Sequence, residues 1–243
     1  MARTKTWRFP SLIVFSLFCL AACQDRIFDN PFDPDAEKVP LEIVSTIYTT
    51  ARIPLGLTWD GSTLWNVDGG DNTLRSLNRV NGAQVRTLVS PLPGTTGLAY
   101  DGQDLWVCSR IRVDVYKINI LNGDVQRRLN LQRGSFTAVE FGEESLWLAD
   151  SLSNKVLRVD PETGEILFSF NNPGTRIDGL AYDGLSLWIS DASTLTLYRV
   201  STDGELELTY ISPGQSPRGL AYDGQSLWNV DGDRRIYQMR FRN

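Results

Sequence analysis

Arginine and aspartate side chains in the irregular parts of the sequence are the residues best suited to ligand chemistry. They stand in short segments that contain Gly, Ser, Pro or Asn and that interrupt runs of apolar residues. The candidates are Arg52, Asp71, Arg110, Arg133, Arg176, Asp178, Arg218, Asp233 and Arg234. Converging guanidinium groups form paired hydrogen bonds with carboxylates, so this set would suit a carboxylate ligand or an acidic peptide. The alternative is a solvated loop surface of mixed charge.

The absence of histidine from all 243 residues excludes several kinds of site. Ser-His-Asp and Cys-His nucleophile pairs need imidazole as a base, and many metal sites need it as a ligand. The acidic run Asp68-Gly-Gly-Asp-Asn72 lacks the alternating ligands of an EF-hand loop. Paired carboxylates of the glycosidase type are not expected, because the predicted inner strands carry mostly Gly, Leu, Ala and aromatic residues. We therefore assign no catalytic residue, no metal and no cofactor from the sequence.

The overall composition indicates a folded, acidic domain. Hydrophobic residues make up 42% of the chain and aromatic residues 10%, which is typical of a protein with a sizeable core. The 29 Asp and Glu residues outnumber the 24 Lys and Arg residues. A net negative protein is repelled by phosphate backbones, so nucleic acid is not expected as a partner.

The first 22 residues have the pattern of an export signal. Arg3, Lys5 and Arg8 precede a short apolar stretch from Phe9 to Ala22 that Pro10 interrupts. Such a stretch is too short to span a bilayer comfortably. It ends in Leu20-Ala-Ala-Cys23, which resembles the lipobox of bacterial lipoproteins. That resemblance implies that Cys23 becomes the lipidated first residue; a plain secretory signal is the alternative.

The segment from Cys23 to Pro40 is predicted to be a flexible acidic tether. It contains Asn30-Pro-Phe-Asp-Pro-Asp35 and shows little apolar periodicity. A segment of this composition favours an extended, solvated chain. Phe28 and Phe32 leave open a docking role, and a purely solvated spacer is the alternative. Acyl chains on Cys23 would anchor the protein to a membrane while the globular part stays in water.

A repeat of about 41 residues governs residues 41–243. Four of the five units begin with Gly-Leu-(Ala or Thr)-(Tyr or Trp)-Asp-Gly, and Leu-Trp follows in every unit. The units start at Gly56, Gly97, Ala138, Gly179 and Gly219. A fixed period of this length is typical of propellers and solenoids, in which each repeat buries its faces against its neighbours.

Each unit has the signals of four β-strands. The Asp-Gly dipeptide predicts a hairpin turn between the first two strands, and a second turn such as Asn81-Gly82 separates the last two. No window shows a convincing helical stripe. Four strands of about five or six residues with four turns amount to roughly 40 residues, which is one blade of a β-propeller.

The two ends of the repeat region predict how the ring closes. Leu41 to Thr49 resembles a fourth strand that no unit precedes, whereas the unit from Gly219 stops before its own fourth strand. Pairing these two ends would complete the last blade and remove an open edge. We therefore predict an all-β, five-bladed β-propeller with four-stranded blades, closed by the N-terminal strand. A linear β-solenoid is the alternative.

Three sets of recurring or buried residues are predicted to be structural. The repeated tryptophans are expected to pack between blades. The Asp three residues after each Trp, replaced by Ser109 in the second unit, is expected to cap turns. Cys108 lies on a predicted core strand and is expected to be an inert buried thiol.

The repeats resemble known propeller families. The Gly-Leu-Ala-Tyr-Asp-Gly and Leu-Trp-x-x-Asp patterns, with Asp160-Pro-Glu-Thr-Gly-Glu165, are similar to NHL, YVTN and related bacterial propellers. They also resemble five-bladed glutaminyl-peptide cyclotransferases, although the Glu-Ser-Thr stretch of that family is absent here. The resemblance implies a propeller over residues 41–243, with ligands meeting the mouth of the central channel.

These observations lead to one expected function and one alternative. We expect a lipid-anchored envelope protein, at the outer membrane, cell surface or periplasm, whose monomeric propeller binds a protein, peptide or small anionic ligand. The membrane contact would run through Cys23, and the candidate Arg and Asp residues would ring the mouth. The alternative is a glutaminyl-peptide cyclotransferase-like enzyme that acts on N-terminal Gln.

Overall fold

Antiparallel β-sheets make up the part of the chain that the structure describes. The computed structural model describes residues 39–241, with side chains from Leu41 onward. Twenty-one strands and no helix are present in this range, so no helix there could cross a bilayer. The expected signal peptide, Cys23 and most of the tether lie outside the described residues.

The strands form five sheets, each of which corresponds to one sequence repeat. Two strands precede the repeats, β1 (Val39–Pro40) and β2 (Glu42–Tyr48). Blade 1 contains β3 (Pro54–Trp59), β4 (Leu64–Asp68), β5 (Thr73–Leu77) and β6 (Gln84–Val89). Blade 2 contains β7 (Thr95–Tyr100), β8 (Leu105–Ser109), β9 (Asp114–Ile118) and β10 (Val125–Asn130). Blade 3 contains β11 (Phe136–Gly142), β12 (Ser145–Asp150), β13 (Lys155–Val159) and β14 (Ile166–Asn171).

Blades 4 and 5 follow the same plan, except that blade 5 takes its outer strand from the start of the chain. Blade 4 contains β15 (Gly179–Tyr182), β16 (Ser186–Asp191), β17 (Thr196–Ser201) and β18 (Leu206–Ile211). Blade 5 contains β19 (Pro217–Tyr222), β20 (Leu227–Asp231) and β21 (Arg235–Arg240). Its fourth strand is β2, which pairs antiparallel with β21. The predicted five-bladed β-propeller and its closure by the N-terminal strand are therefore confirmed.

The Asp of each Asp-Gly turn ties the hairpin to the buried tryptophan. In blade 1 the indole Nε1 of Trp65 donates to Asp60 at 2.7 Å, and the same carboxylate accepts the backbone N–H of Ser62 and Thr63. Blades 2, 4 and 5 repeat the Trp-to-Asp bond at 2.8–2.9 Å. Blade 3 has no Asp at this position, so Trp147 donates instead to the carbonyl oxygen of Gly142 at 3.2 Å.

The tryptophans pack between blades, as predicted. Trp65 of blade 1 shares a buried cluster with Leu98 and Ile118 of blade 2, and Trp106 shares one with Val139 and Leu146 of blade 3. All five side chains are at most 2% exposed. Because each large indole lies against the following blade, much of the apolar burial belongs to the ring rather than to a single blade.

The N-terminal strands bridge two blades. Ile47 of β2 is buried with Leu57 of blade 1 and Trp228 of blade 5. Before β2, Val39 and Pro40 pair in parallel with Tyr210 and Ile211 of β18, so β1 adds a fifth strand to blade 4. Strand pairing therefore begins two residues ahead of the predicted propeller boundary.

Candidate ligand-binding site at the channel mouth

The innermost strands approach one another most closely at the first residue of each repeat. A Cβ atom on Gly219 would lie 2.3 Å from the backbone nitrogen of Leu57, and one on Gly97 would lie 2.7 Å from Cα of Ala138. Glycine is needed because neighbouring backbone occupies the space of a side chain. We call this ring of positions the waist: Gly56, Gly97, Ala138, Gly179 and Gly219.

The residues just before the waist link each blade to the next. The Oγ1 hydroxyl of Thr96 donates to the carbonyl oxygen of Phe136 at 2.8 Å, and that of Thr137 donates to Ile177 at 2.7 Å. The equivalent residues of blades 4 and 5 are Asp178 and Arg218, which form an ion pair at 3.2 Å. Between blades 4 and 5, an ion pair therefore takes the place of the hydroxyl-to-carbonyl hydrogen bond that blades 2 and 3 each form with the next blade.

Asp178 is the anionic centre of this region. Its Oδ1 atom pairs with Nη2 of Arg176 at 2.8 Å and with Nη1 of Arg218. Its Oδ2 atom accepts the backbone N–H of Ala192 at 3.1 Å. The Asp178 side chain is 1% exposed, whereas those of Arg176 and Arg218 are 41% and 26% exposed. A buried carboxylate thus orients two guanidinium groups that still reach solvent.

Arg110 adds a third guanidinium from blade 2. Although Arg110 is exposed to solvent, burial against protein atoms lowers the pKa of its guanidinium, and the charges of Arg176 and Arg218 lower it further. Asp178 acts in the opposite direction. Within residues 41–241 the Arg110 side chain has no hydrogen bond or ion pair. Arg110, Arg176, Arg218 and Asp178 therefore lie within electrostatic range of one another; we call these four residues the mouth cluster.

The recurring aspartates hold the loops that carry the mouth cluster, which agrees with their predicted turn-capping role. Asp191 accepts the backbone N–H groups of Thr175 and Arg176 at 2.8 and 3.1 Å, and that of Ser193 at 2.7 Å. It therefore fixes two adjacent loops of blade 4 with one carboxylate. Asp68 does the same in blade 1, where it accepts the backbone N–H of Arg52 at 2.7 Å.

Two other predicted site residues lie in blade 1 and do not join the mouth cluster. Arg52 is held through its backbone by Asp68, and among the described residues no ion pair joins its side chain to Asp178. Asp71 pairs with Arg75 at 2.6 Å and accepts from Thr73. The hydrogen bond from Thr73 is the largest cause of its lowered pKa.

The remaining three predicted residues also have other surroundings. Arg133 lines an outer groove with Asn130 and Ile166, and its neighbours Gln132 and Gly134 have positive φ values of 65° and 131°. Asp233 pairs with Arg235 at 3.3 Å, and Arg234 is exposed. That the nine residues bind a ligand stays a prediction; the structure brings together Arg110, Arg176, Asp178 and Arg218.

Sequence reasoning missed one buried carboxyl group on an inner strand. Glu140 of β11 lies two residues beyond the waist, on the side away from the mouth. Burial raises the pKa of this carboxyl to about 8, and the backbone N–H of Phe141, which it accepts at 2.9 Å, acts in the opposite direction. The sequence does contain a signal for this residue: when the repeats are aligned, Glu140 stands where the other units have Thr58 or Ala.

Cys108 lies beneath the mouth and is fully buried, as predicted. Its Sγ atom is 3.7 Å from the carbonyl oxygen of Phe136. Burial raises the pKa of the thiol to about 12, which keeps it protonated and unreactive near neutral pH.

Comparisons with known proteins support the fold. No family model and no curated protein matches the sequence. Among solved structures, a glutaminyl cyclase from Myxococcus xanthus matches with a TM-score of 0.73 and 14% identity, covering 84% of this chain and 98% of that one. A virginiamycin B lyase from Staphylococcus aureus matches with a TM-score of 0.52 and 18% identity, over 78% of this chain and 66% of that one.

A third solved structure is the β-propeller domain of Cps50 (Swd1) from Myceliophteria thermophila. It matches with a TM-score of 0.54 and 11% identity, covering 84% of this chain and all of that one. At such identities the likeness shows the fold alone. The protein is thus a five-bladed β-propeller in which a buried aspartate pairs with two arginines and a third arginine lies within electrostatic range.

Proposed function

We propose that this protein is a lipid-anchored propeller of the cell envelope that binds a carboxylate-bearing ligand, such as an acidic peptide, at the mouth cluster. The observation that carries the proposal is the buried carboxylate of Asp178, which pairs with both Arg176 and Arg218. The guanidinium of Arg110 lies within electrostatic range of all three groups. A guanidinium without an ion pair next to two others is electrostatically unfavourable until an anion arrives.

The geometry supports binding with little rearrangement. Asp178 already orients Arg176 and Arg218, and Asp191 fixes the loop from which Arg176 projects. Arginines held in place lose less conformational freedom when a ligand binds, which favours affinity. A ligand carboxylate would accept from Arg110 and from the donor groups that Asp178 leaves unused on Arg176 and Arg218.

The lipid anchor is proposed from the lipobox-like end of the signal segment. Leu20-Ala-Ala-Cys23 follows a basic start and a short apolar stretch. Gln24 follows the cysteine, which favours an outer-membrane or surface location. Metabolic labelling with a clickable palmitate analogue should mark the wild-type protein and leave Cys23→Ser unlabelled. Equal labelling of both would remove the anchor from the proposal.

The binding proposal is tested with a defined probe and matched variants. Titration calorimetry of the full chain would compare N-acetyl-triglutamate with N-acetyl-triglutamine amide, which has no carboxylate. We expect the protein to bind the acidic peptide and not the neutral one. Arg110→Ala should lower the affinity for the acidic peptide about 10-fold or more, because a hydrogen bond to a charged group contributes about 1.5–3 kcal/mol. Arg112→Ala, an exposed change on the same loop, should leave affinity unchanged. Equal losses in both variants, or no binding, would contradict the proposal.

A glutaminyl-peptide cyclotransferase-like activity on N-terminal Gln is the second candidate. Two observations favour it: the likeness to the M. xanthus glutaminyl cyclase and a carboxyl group with pKa about 8 on an inner strand. A group with this pKa can take and return a proton near neutral pH. Incubation with an N-terminal Gln peptide should then release ammonia, and Glu140→Gln should abolish the release. No ammonia from the wild-type protein would remove this candidate.

A further inference from the structure

An aromatic groove lies between blades 4 and 5, on the face opposite the mouth. It encloses about 320 Å³ and is lined by Trp188, Tyr210, Tyr222 and Phe241, with Leu185 and Leu208 at its rim. The two charged residues of its lining, Asp183 and Arg199, neutralise each other in an ion pair at 2.9 Å. The Phe241 ring stacks on Trp188 with centroids 4.9 Å apart, and Leu185 and Leu208 are 77% and 42% exposed. Exposed leucines around an aromatic floor form a surface suited to an apolar side chain.

The groove between blades 4 and 5 is larger than the corresponding groove between blades 1 and 2. Between blades 1 and 2 the equivalent space measures about 240 Å³, and the turn residues Ile120 and Leu121 of blade 2 border it. Blade 5 has no turn between its third and fourth strands, because its fourth strand is β2. The closure of the ring therefore leaves a wider opening beside Phe241 than beside Ile120.

The first described strand leads the chain to this groove. β1 runs parallel to β18, with Val39 opposite Tyr210, and Tyr210 and Leu208 of β18 both line the groove. The described part of the chain therefore begins beside Tyr210, at the edge of the groove. Phe32 precedes Val39 by seven residues. Such a stretch spans at most about 25 Å when extended, which is ample to reach a groove on the paired strand.

We propose that the groove is the docking site for the ring of Phe32, from the chain's own N-terminal segment. The segment reads Asn30-Pro-Phe-Asp-Pro34, so prolines flank Phe32 on both sides and reduce the entropy lost on docking. Phe28 has no proline before it in this segment and would close a longer loop, which costs more entropy. Phe32 is therefore the residue assigned to the groove.

Docking would orient the propeller relative to a membrane. Cys23 precedes Phe32 by nine residues, so a lipid on Cys23 would hold the groove face toward the bilayer and the mouth away from it. This consequence rests on the proposed lipid anchor. The docking itself does not, and it is tested without reference to lipid or to ligand binding.

The test measures how fast trypsin cleaves the full chain after Lys38, next to β1. We expect Phe32→Ala to speed cleavage about 10-fold, because the docked segment is held against the protease. Leu185→Ser should have the same effect, since Leu185 is an exposed rim residue whose change should leave the thermal midpoint in place. The double variant should match either single one, as expected for two partners in one contact.

Two matched variants serve as controls. Leu121→Ser changes a 68% exposed leucine that borders the groove between blades 1 and 2, and Phe28→Ala removes the other ring of the segment. Both should cleave at the wild-type rate. Unchanged cleavage in Phe32→Ala, or acceleration in Phe28→Ala alone, would overturn the proposal. The affinity of Phe32→Ala for N-acetyl-triglutamate should equal that of the wild type, because docking of Phe32 does not involve the mouth cluster. This measurement separates a failure of the docking proposal from a failure of the ligand-binding proposal.

Discussion

Asp178 is the residue on which the arrangement of the mouth cluster depends. It is almost fully buried and accepts from Arg176, Arg218 and the backbone of Ala192. Threonine hydroxyls fill the equivalent place in blades 2 and 3, where a neutral bond suffices. The charged version gives blade 4 a site that the other blades lack, since it holds two guanidinium groups at the mouth.

Replacing Asp178 should destabilise the protein. Asp178→Asn keeps the shape but removes the charge that two guanidinium groups share, so we expect a loss of about 1–3 kcal/mol in the free energy of unfolding. Urea denaturation measures this loss. Asp233→Asn is the control, because Asp233 is 46% exposed and its surface pair with Arg235 contributes little to stability. Equal effects of the two changes would contradict the assigned role of Asp178.

Glu140 should make stability depend on pH. Its folded-state pKa of about 8 lies above the ordinary value of 4.5, so its contribution to stability is complete below about pH 4.5 and is lost as pH rises through 8. Glu140→Gln cannot ionise, so its stability relative to the wild type should rise over that window, by on the order of 1–4 kcal/mol. Denaturation at pH 5, 6.5 and 8 measures this difference, which should be absent in the exposed control Glu144→Gln.

At the scale of strands and loops, the waist keeps the inner strands in place. A Cβ on Gly219 would meet backbone atoms of Leu55, Gly56 and Leu57 at 2.3–2.5 Å, and backbone cannot move aside as a flexible side chain can. Gly219→Ala should therefore cost about 3 kcal/mol or more. Ala138→Gly at the equivalent place in blade 3 should cost only about 1 kcal/mol. Thermal unfolding compares the two, and a smaller loss in Gly219→Ala would contradict the close approach.

The sequence predicts repeated elements better than unique contacts. The 41-residue period and the Asp-Gly turns predict the blades, because these features are local and recur. The two incomplete ends of the repeat region then predict a closed ring of five. The pairing of Val39 with Tyr210 gives no such signal, since two residues carry no periodicity. Arg133 shows the same limit within a loop: its residue type suits the mouth, but the structure places it in an outer groove with Asn130 and Ile166. Asp178 and Arg218 were found because they interrupt the repeat.

At the scale of the whole molecule, ring closure joins the fold to the candidate site. The mouth cluster combines side chains of blades 2, 4 and 5, and blade 5 is complete only when β2 pairs with β21. Ile47 of β2 also fills the cluster that contains Leu57 and Trp228. Without this strand the ring would have an open edge and a half-empty contact between its first and last blades.

Thermal unfolding of a chain that lacks residues 41–49, followed by circular dichroism, tests ring closure most directly. A deletion of equal length upstream, residues 28–36, is the control, because it leaves β1 and β2 in place. We expect the control to unfold in one cooperative transition, and the protein without residues 41–49 to be insoluble or to lose that transition. If it unfolds as cooperatively as the control and at the same temperature, the N-terminal strand does not close the ring.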